Sequence, residues 1–460
     1  MSGIAELLHQ QGCEVQGSDI SENANVKRLR DKGMSIHIGH DRDHITPDLS
    51  AVVVSSAIKP DNPEVAAARS LSIPVVRRAD MLAELMRMKR AVAIGGTHGK
   101  TTTTSLVGAV LEAAQFDPTV VNGGIINQYG TNTRLGQGNW MVVESDESDG
   151  SFTRLPAAIV AVTNIDPEHL EHYGDFDALR AAFRQFVENI PFYGYAVVCT
   201  DHPECQALAA DVQDRRIISY GTNPQAEVRA LNIRPAPGGI TFDVQINIPN
   251  ICDHAETYTD LHLPMMGHHN VMNALVAVTI ARMETVPETV VRRALSEFQG
   301  VKRRFTKTGE VGGITVIDDY GHHPVEIQAV LKAARQGLEE TGGKIHAIMQ
   351  PHRYTRLHDL FSEFCACFTE ADSVLITDVY EAGEAPIEGA DKQSLADGIT
   401  RFGHKDAAAL EGWDALPELI AARAQPGDFV IFLGAGDITK YAYALPEQLA
   451  VFGNHKVQIA

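Results

Sequence analysis

An α/β fold divided among about three domains is what the sequence predicts, on three observations. Short apolar strand-like runs alternate with helical stretches from residue 1 to about 85, again from residue 90, and again beyond residue 299. A chain of 460 residues with 44% hydrophobic content can bury a sizeable core, yet that length is better divided than packed as one. Between the second and third blocks, residues 216 to 263 leave the strand–helix alternation for short strands joined by turns. The expected domains are 1–85, 86–298 and 299–460.

In the first block, GIAELLH at 3–9 reads as a helix running into Gly12, and EVQ at 14–16 is a strand with Gly17, Ser18 and Asp19 at its end. AVVV at 51–54 is the next strand, ahead of Ser55 and Ser56, and 62–71 is helix-like. This is half of a doubly wound fold, without the first strand and glycine loop such a half begins with. The second block starts on the strand at 90–94, and the helix that follows places Val107, Val110, Leu111 and Ala114 on one face. Strands follow at 141–143 and 158–162. IISY at 217–220, Gly238-Gly239 and TFDVQI at 241–246 suggest antiparallel strands and turns. A helix covers about 270–282, and Gln299-Gly300 leads into the third block. Its strands are 314–317, 344–349, 373–376 and 428–433, in another open α/β sheet.

A net charge of −20 argues against broad attraction to nucleic acid or an anionic membrane, so an anionic ligand needs local clusters of Lys and Arg. These occur at Arg77-Arg78, Lys302-Arg303-Arg304, and Arg353 with Arg356. No apolar run reaches membrane-spanning length, and MSGIAELLHQQG has no basic segment ahead of a long apolar one, so a cytoplasmic location is expected. Six cysteines, none in a C-x-x-C pair, read as reduced thiols.

The segment AVAIGGTHGKTTTT at 91–104 joins a strand to a helix through a glycine loop. The strict form G-x-x-x-x-G-K-[ST] needs Gly where this chain has Ile94. At such a junction the backbone of Gly95, Gly96, Thr97, His98 and Gly99 faces phosphates. Lys100 reaches the outer ones, the Thr101 hydroxyl can ligate Mg²⁺, and Thr102 follows on the helix. The strand at 141–143 delivers ESDESD at 144–149 to its C-terminal end, where open α/β sheets bind ligands and hard oxygens such as those of Glu144 suit Mg²⁺. Alone, that stretch is a solvated acidic turn; after a lysine-bearing loop in the same block it reads as a metal site. TNIDPEH at 163–169 offers Asn164, Asp166 and His169, and a histidine beside a phosphate site can take a second metal.

GTHGKTTT, ESDESD, TNIDPEH and GHHNVMN at 267–273 together resemble the Mur ligases, ATP-dependent enzymes that join an amino acid to a UDP-muramyl acceptor. The shortened loop with Ile94 is normal in that family. The resemblance covers nearly the whole chain and implies a Rossmann-like UDP-sugar-binding domain, a central P-loop ATPase domain with an antiparallel part, and a Rossmann-like C-terminal domain. DDYGHHP at 318–324, QPHRYTR at 350–356 and GVKRRF at 300–305 are similar to the branch that adds L-alanine to UDP-N-acetylmuramate. Implied is attack of the lactyl carboxylate on the ATP γ-phosphate, giving an acyl phosphate and ADP, followed by attack of the L-alanine amine and loss of phosphate.

By the same resemblance Lys100, Thr101, Glu144 and His169 hold ATP and Mg²⁺, and His98 approaches the acceptor carboxylate. Several family members have a carbamylated, metal-binding lysine where this chain has Phe183, which puts more of the metal binding on His169 and Glu144. Asn270 and Asn273 resemble the adenine contacts and Arg304 the C-terminal domain's contact to the nucleotide. Without the resemblance these are helix-surface amides and a solvated basic turn. A guanidinium fork matches a carboxylate or phosphate, so Arg353 and Arg356 are candidates to grip L-alanine and the transferring phosphoryl group. His322 and Tyr320 line the amino-acid site, while His323 before Pro324 reads as serving a turn rather than catalysis. For the UDP-sugar the candidates are Ser18, Asp19, Ser55, Ser56 and Arg77 or Arg78, with Asp19 on ribose hydroxyls by analogy with dinucleotide folds.

Family members carry a strand and a G-x-G-G-x-G-M-S-G-I-A-E stretch across the point where this chain starts, so MSGIAE at 1–6 resembles the tail of that motif. The expectation is that Met1 is an internal methionine, and that the chain as given binds the UDP-sugar weakly and turns over slowly. Two other readings stand beside the alanine-adding one: a ligase adding a whole tripeptide to the same sugar, and a truncated, noncatalytic binding protein. Intact Lys100, Glu144 and Arg353 speak against the last. A monomer and a homodimer are both compatible with the sequence.

Overall fold

The computed structural model describes residues 1–55, 57–339, 341–452 and 457–459. They form two compact units. The first takes Met1–Arg229, Ile246–Glu256 and Leu275–Val291; the second takes Ala230–Gln245, Thr257–Ala274 and Arg292–Ala460.

The first unit opens on the helix Ser2–Gln10, as expected, but its first strand is Gln16–Asp19 and not 14–16. The helix closes through Gly12 at φ +87° and a Cys13 N–H to Leu8 carbonyl bond of 3.0 Å, which turns the next residues into a connector. Gln16–Asp19 pairs in parallel with Ser35–Ile38, and Val52–Val54 with Val75–Arg77, in two separate two-stranded sheets.

The larger sheet of this unit runs Ile217–Gly221, Tyr195–Cys199, Ile159–Val162, Arg90–Gly95, Trp140–Glu144, Thr119–Ile126, Thr131–Arg134. Its inner strands are apolar on both faces, as parallel strands sandwiched between helices must be. Ala91, Ala93, Val143, Val160 and Val162 pack with Leu179, Phe183, Phe186 and Val198 in one core. Val107, Val110 and Leu111 of the helix Lys100–Ala113 are buried, and Ala114 partly so. Ile217–Gly221 corrects the sequence reading: it pairs in parallel with Tyr195–Cys199, because the helix Pro203–Asp211 between them makes the connection a crossover and not a hairpin. The Thr119–Ile126 and Thr131–Arg134 hairpin is unforeseen, its Gly123-Gly124 pair interrupting any strand pattern.

In the second unit the four expected strands appear as Ile314–Asp319, Ile345–Met349, Ser373–Ile376 and Phe429–Leu433. Across the sheet the order is Ala407–Ala409, Ser373–Ile376, Ile345–Met349, Phe429–Leu433, Ile314–Asp319, Thr306–Val311, Val457–Ile459. Thr306–Val311 is antiparallel to Ile314–Asp319 across Gly312 and Gly313, at φ +58° and +80°. This two-residue turn needs both residues at positive φ, which two glycines supply without strain. Gly239–Ile246 lies beside Val228–Ala236 and Glu256–Leu263, its side chains alternating between buried and half-buried. Among the described residues no helix is long and apolar enough to cross a membrane.

At the N-terminal edge of the second unit's sheet, His346 is buried between the Ser373 hydroxyl at 2.8 Å and Asp428 Oδ2 at 3.2 Å. Asp428 also accepts the N–H groups of Lys344 and Gln425, each at 2.8 Å. Burial pushes its carboxyl up, but those donors and His346 outweigh it and hold it below the usual carboxylate range. The folded value lies below the unfolded one, so the stabilisation is complete above the unfolded value and is lost as pH falls through the folded one. Asp428→Asn is expected to lose about 2 kcal/mol at neutral pH. In urea unfolding from pH 7 to pH 3 the gap to the parent should narrow; a constant gap would contradict the assignment.

Candidate active site

Three adjacent parallel strands of the first unit end side by side. The chain leaves Arg90–Gly95, returns on one side as Trp140–Glu144, and then crosses to the other side as Ile159–Val162. The crevice at such a reversal is where open sheets bind ligands. Into it run the loop at 95–100, the acidic stretch at 144–149 and the segment at 163–169.

Two glycines permit the loop. Gly96 has φ +128°, and a Cβ there would run into the Thr163 hydroxyl and come within 3.1 Å of the Asn164 backbone nitrogen. Gly99 at φ +82° caps the helix Lys100–Ala113, whose N-terminal N–H groups favour anions. Asn164 shapes the turn: its Oδ1 accepts from Thr97 Oγ1 at 2.6 Å and from His98 N at 2.7 Å, and its Nδ2 donates to the His98 carbonyl at 3.1 Å. Its amide is thus committed to shaping the loop. Gly95 ends the strand, and Thr101 and Thr102 are buried in the first helical turn.

Lys100 Nζ donates to the Gly96 and Thr97 carbonyls at 2.7 and 3.2 Å and lies 2.8 Å from both oxygens of Glu147. Burial pulls its pKa down, but the Glu147 carboxylate more than offsets this and the net direction is up. Glu147 itself is 1% exposed. Glu144 accepts the Gly123 N–H at 2.7 Å. His169, at φ +56°, places Nε2 3.9 Å from Glu147 and 3.8 Å from Glu168. Ligand atoms of Glu147, Glu168 and His169 all lie within 4.8 Å of one another. Carboxylate oxygens with one imidazole fit a hard divalent ion such as Mg²⁺. His98 Nε2 lies 3.4 Å and His202 Nε2 3.2 Å from Asp166. Burial raises that carboxyl, and the two histidines overcome it and hold it well below the usual range. Phe183 is fully buried, edge-on to Phe152 with ring centres 5.1 Å apart.

The second unit gathers another set at the C-terminal ends of its strands. Asp319 accepts the N–H groups of Phe305 and Gly321, both at 2.7 Å, and burial pushes its carboxyl up to about 6. The Tyr320 ring has the Arg303 and Arg304 guanidiniums 4.8 and 5.3 Å from its centre and lies edge-on to His322 at 5.3 Å. Burial lowers the His322 pKa to about 3, so its ring is neutral. Arg304 NH1 is 3.8 Å from Glu326. His323 caps the helix Pro324–Leu338 in a capping box with Glu326, the turn-serving role weighed for it. Arg356 NH1 lies 3.4 Å from His352 Nδ1, and the His352 ring stacks on Tyr380 at 5.4 Å. Arg353 has φ +71°; its N–H bonds the Tyr380 carbonyl at 2.9 Å and its guanidinium is 3.8 Å from Glu384.

Asn270 and Asn273 sit on the helix His268–Met283 but are buried, 3% and 6% exposed, so they are not surface amides. Asn270 Nδ2 donates to the Met266 carbonyl at 2.7 Å. In the small sheets of the first unit, Ser18 donates to Glu64 at 2.6 Å and Asp19 accepts the Ser21 N–H at 3.2 Å. Ser55 follows Val52–Val54, and Arg78 starts the helix Arg78–Arg87 just past the paired strand Val75–Arg77. Ser18 and Asp19 therefore belong to one two-stranded sheet, Ser55 and Arg78 to the end of the other. Ser56 lies outside the described residues.

Glu147, Glu168, His352, Tyr380 and Glu384 were not singled out from sequence. Glu147, Glu168 and His352 lie within motifs already recognised, and only the path of the chain after each strand shows which motif residue turns inward. Tyr380 and Glu384 follow the strand Ser373–Ile376 with no motif to mark them.

A lysine-bearing glycine loop at the reversal point of a parallel sheet, ringed by carboxylates, defines an α/β nucleotide-binding enzyme of the phosphate-loop class. The chain belongs to the Mur ligase family: the family models for the Mur ligase middle domain, the Mur ligase family catalytic domain and the Mur ligase glutamate ligase domain match residues 94–281, 1–90 and 303–436. The UDP-N-acetylmuramate–L-alanine ligase of Brucella ovis is 59% identical over 453 residues, covering 98% of this chain and 96% of that relative. The ligase of the same name from Brucella anthropi is 58% identical with the same coverage. The crystal structure of UDP-N-acetylmuramate–alanine ligase from Thermotoga maritima matches with a TM-score of 0.79 at 29% identity, over 98% of this chain and 97% of that one. A murein peptide ligase from Psychrobacter arcticus shares the fold, with a TM-score of 0.68 at 23% identity over 98% and 96% of the two chains.

Proposed function

We propose that this protein is an ATP-dependent, ADP-forming ligase that joins L-alanine to the lactyl carboxylate of UDP-N-acetylmuramate in peptidoglycan precursor synthesis. The observation that carries this is the 59% identity, spread over 98% of the chain, to ligases named for that reaction. The site supplies matching chemistry. A carboxylate is a poor electrophile, so it is activated by attack on the γ-phosphate, giving an acyl phosphate and ADP. The amine of L-alanine then attacks the acyl carbon, and phosphate leaves. What the protein contributes is placement of anions and neutralisation of charge as it develops.

In this reading the backbone from Gly95 to Gly99 and the helix starting at Lys100 seat the phosphates, with Thr102 behind them, and Lys100 neutralises the outer ones. Thr101, Glu144 and His169 would hold Mg²⁺, which adds charge neutralisation at the phosphates; for His169 the nearby carboxylates of Glu147 and Glu168 support this. Asn270, Asn273 and Arg304 are assigned to the nucleotide and His98 to the acceptor carboxylate. Tyr320 and His322 are assigned to L-alanine, and Arg353 and Arg356 to L-alanine and the transferring phosphoryl group. A neutral His322 can accept a hydrogen bond from the incoming amine, which a cationic ring could not. Ser18, Asp19, Ser55, Ser56 and Arg78 are assigned to the UDP-sugar, within a division of the chain at 1–85, 86–298 and 299–460. A cytoplasmic setting is proposed on the six free cysteines, which a reducing compartment preserves.

Phosphate release is the test. It is expected only when ATP, UDP-N-acetylmuramate and L-alanine are all present. Release with a tripeptide but not with free L-alanine would favour the recycling reaction instead, and ATP hydrolysis indifferent to both acceptors would defeat the proposal.

A further inference from the structure

The Lys100 ammonium has more acceptors than hydrogens. Four oxygens lie within 3.2 Å of Nζ: the Gly96 and Thr97 carbonyls and both oxygens of Glu147. An ammonium carries three donors. Any phosphate oxygen that takes a hydrogen from Lys100 must therefore displace one of these partners. The two carbonyls belong to the loop and are held by its fold, through Asn164 and Thr163. Glu147 is the anionic partner, and it is the one that a phosphate repels.

We propose that Glu147 is a positioning residue that competes with the nucleotide phosphates for Lys100, holding the ammonium on the acidic strand end until a phosphate takes its place. The inference rests on reading residues 95–100 as the nucleotide loop. Its physical basis is the placement of the carboxylate. Glu147 is 1% exposed, so its charge is poorly served by water and depends on Lys100. Its backbone carbonyl accepts the Tyr173 hydroxyl at 2.5 Å and the Gly150 N–H at 3.0 Å, which fixes the point from which the side chain reaches Lys100. Loss of this partner makes the lysine more available to phosphate and removes a buried negative charge beside it, and both effects favour nucleotide binding.

The test is ADP affinity by calorimetry with a chelator present, because Glu147 also lies among the carboxylates suited to a divalent ion. Glu147→Gln keeps the shape and removes the charge. It is expected to bind ADP about tenfold more tightly than the parent, equivalent to about 1.4 kcal/mol. The gain should depend on Lys100 and disappear when Lys100→Met is present in both backgrounds. Should E147Q not fold, Glu147→Asp, which keeps the charge but shortens its reach by one methylene, is expected to shift affinity the same way by a smaller factor. Equal or weaker ADP binding by the variant overturns the inference, since Glu147 would then hold Lys100 for the nucleotide and not against it. A gain that persists without Lys100 overturns it too, leaving only general repulsion. If the parent fails to bind any adenine nucleotide even with Mg²⁺, the reading of the loop itself falls and the inference with it.

Discussion

Lys100→Met should lower kcat/KM for ATP by about a thousandfold while leaving the secondary structure intact. The magnitude follows from removing one fixed cationic donor from a transition state in which charge develops on phosphate oxygens. The same change has a second signature, in stability. Glu147 is buried and its charge is balanced by the ammonium at 2.8 Å, so Lys100→Met strands a carboxylate and is expected to cost about 3 kcal/mol. Adding Glu147→Gln removes the stranded charge. The double variant should regain most of the lost stability in denaturant unfolding and none of the lost turnover. Activity returning with stability would show that Lys100 serves the fold alone; stability failing to return would show that the pair is not ionised.

Arg353→Gly is the second large effect, and it divides function from stability in the other direction. Arg353 holds φ +71°, ψ 137° at the start of the helix Tyr354–Asp359, a conformation that costs a side-chain-bearing residue about 1–3 kcal/mol and glycine almost nothing. Its backbone N–H bond to Tyr380 survives the substitution, and only the guanidinium and its 3.8 Å pairing with Glu384 are lost. A half-exposed pair of that kind contributes little. The expected result is a melting temperature equal to or above the parent's, with kcat/KM for L-alanine down at least about a hundredfold, as when a paired fork to a carboxylate is removed. KM for ATP should be unchanged. A lower melting temperature with activity retained would make Arg353 a structural residue. Strain held at a residue whose side chain is barely paired is itself a reason to assign that side chain to a ligand.

Much of this was legible in the chain, and what escaped has physical reasons. The strands of the second unit and the loop at 95–100 were readable because buried parallel strands are nearly continuous apolar runs and a phosphate loop needs glycine at fixed offsets. Ile217–Gly221 was misread because apolar content identifies a strand but not its direction, which depends on whether a helix or a tight turn precedes it. The strand Thr306–Val311 was missed although Gly312-Gly313 between apolar runs is a hairpin signal. In the site, Glu144 stood out as the first carboxylate past a strand, yet Glu147 is the one that reaches Lys100, since a turn intervenes whose direction no spacing rule supplies. Asn164 shows the converse, a polar residue at a strand end whose side chain is consumed by the Thr97 hydroxyl and the His98 backbone of the glycine loop.

The ladder around Arg90–Gly95 places Ile94 across from Glu144 on one side and Gly95 across from Val162 on the other. Distances among the reactive groups are therefore written into strand pairing and not into the loops themselves. Deleting one residue inside any of these three strands would invert the faces of everything beyond it, whereas lengthening the chain at the hairpin tip near Tyr129, on the sheet's far margin, leaves that alignment untouched. Tolerance to insertion should accordingly be a map of the molecule, near zero along the three inner strands and rising toward that tip.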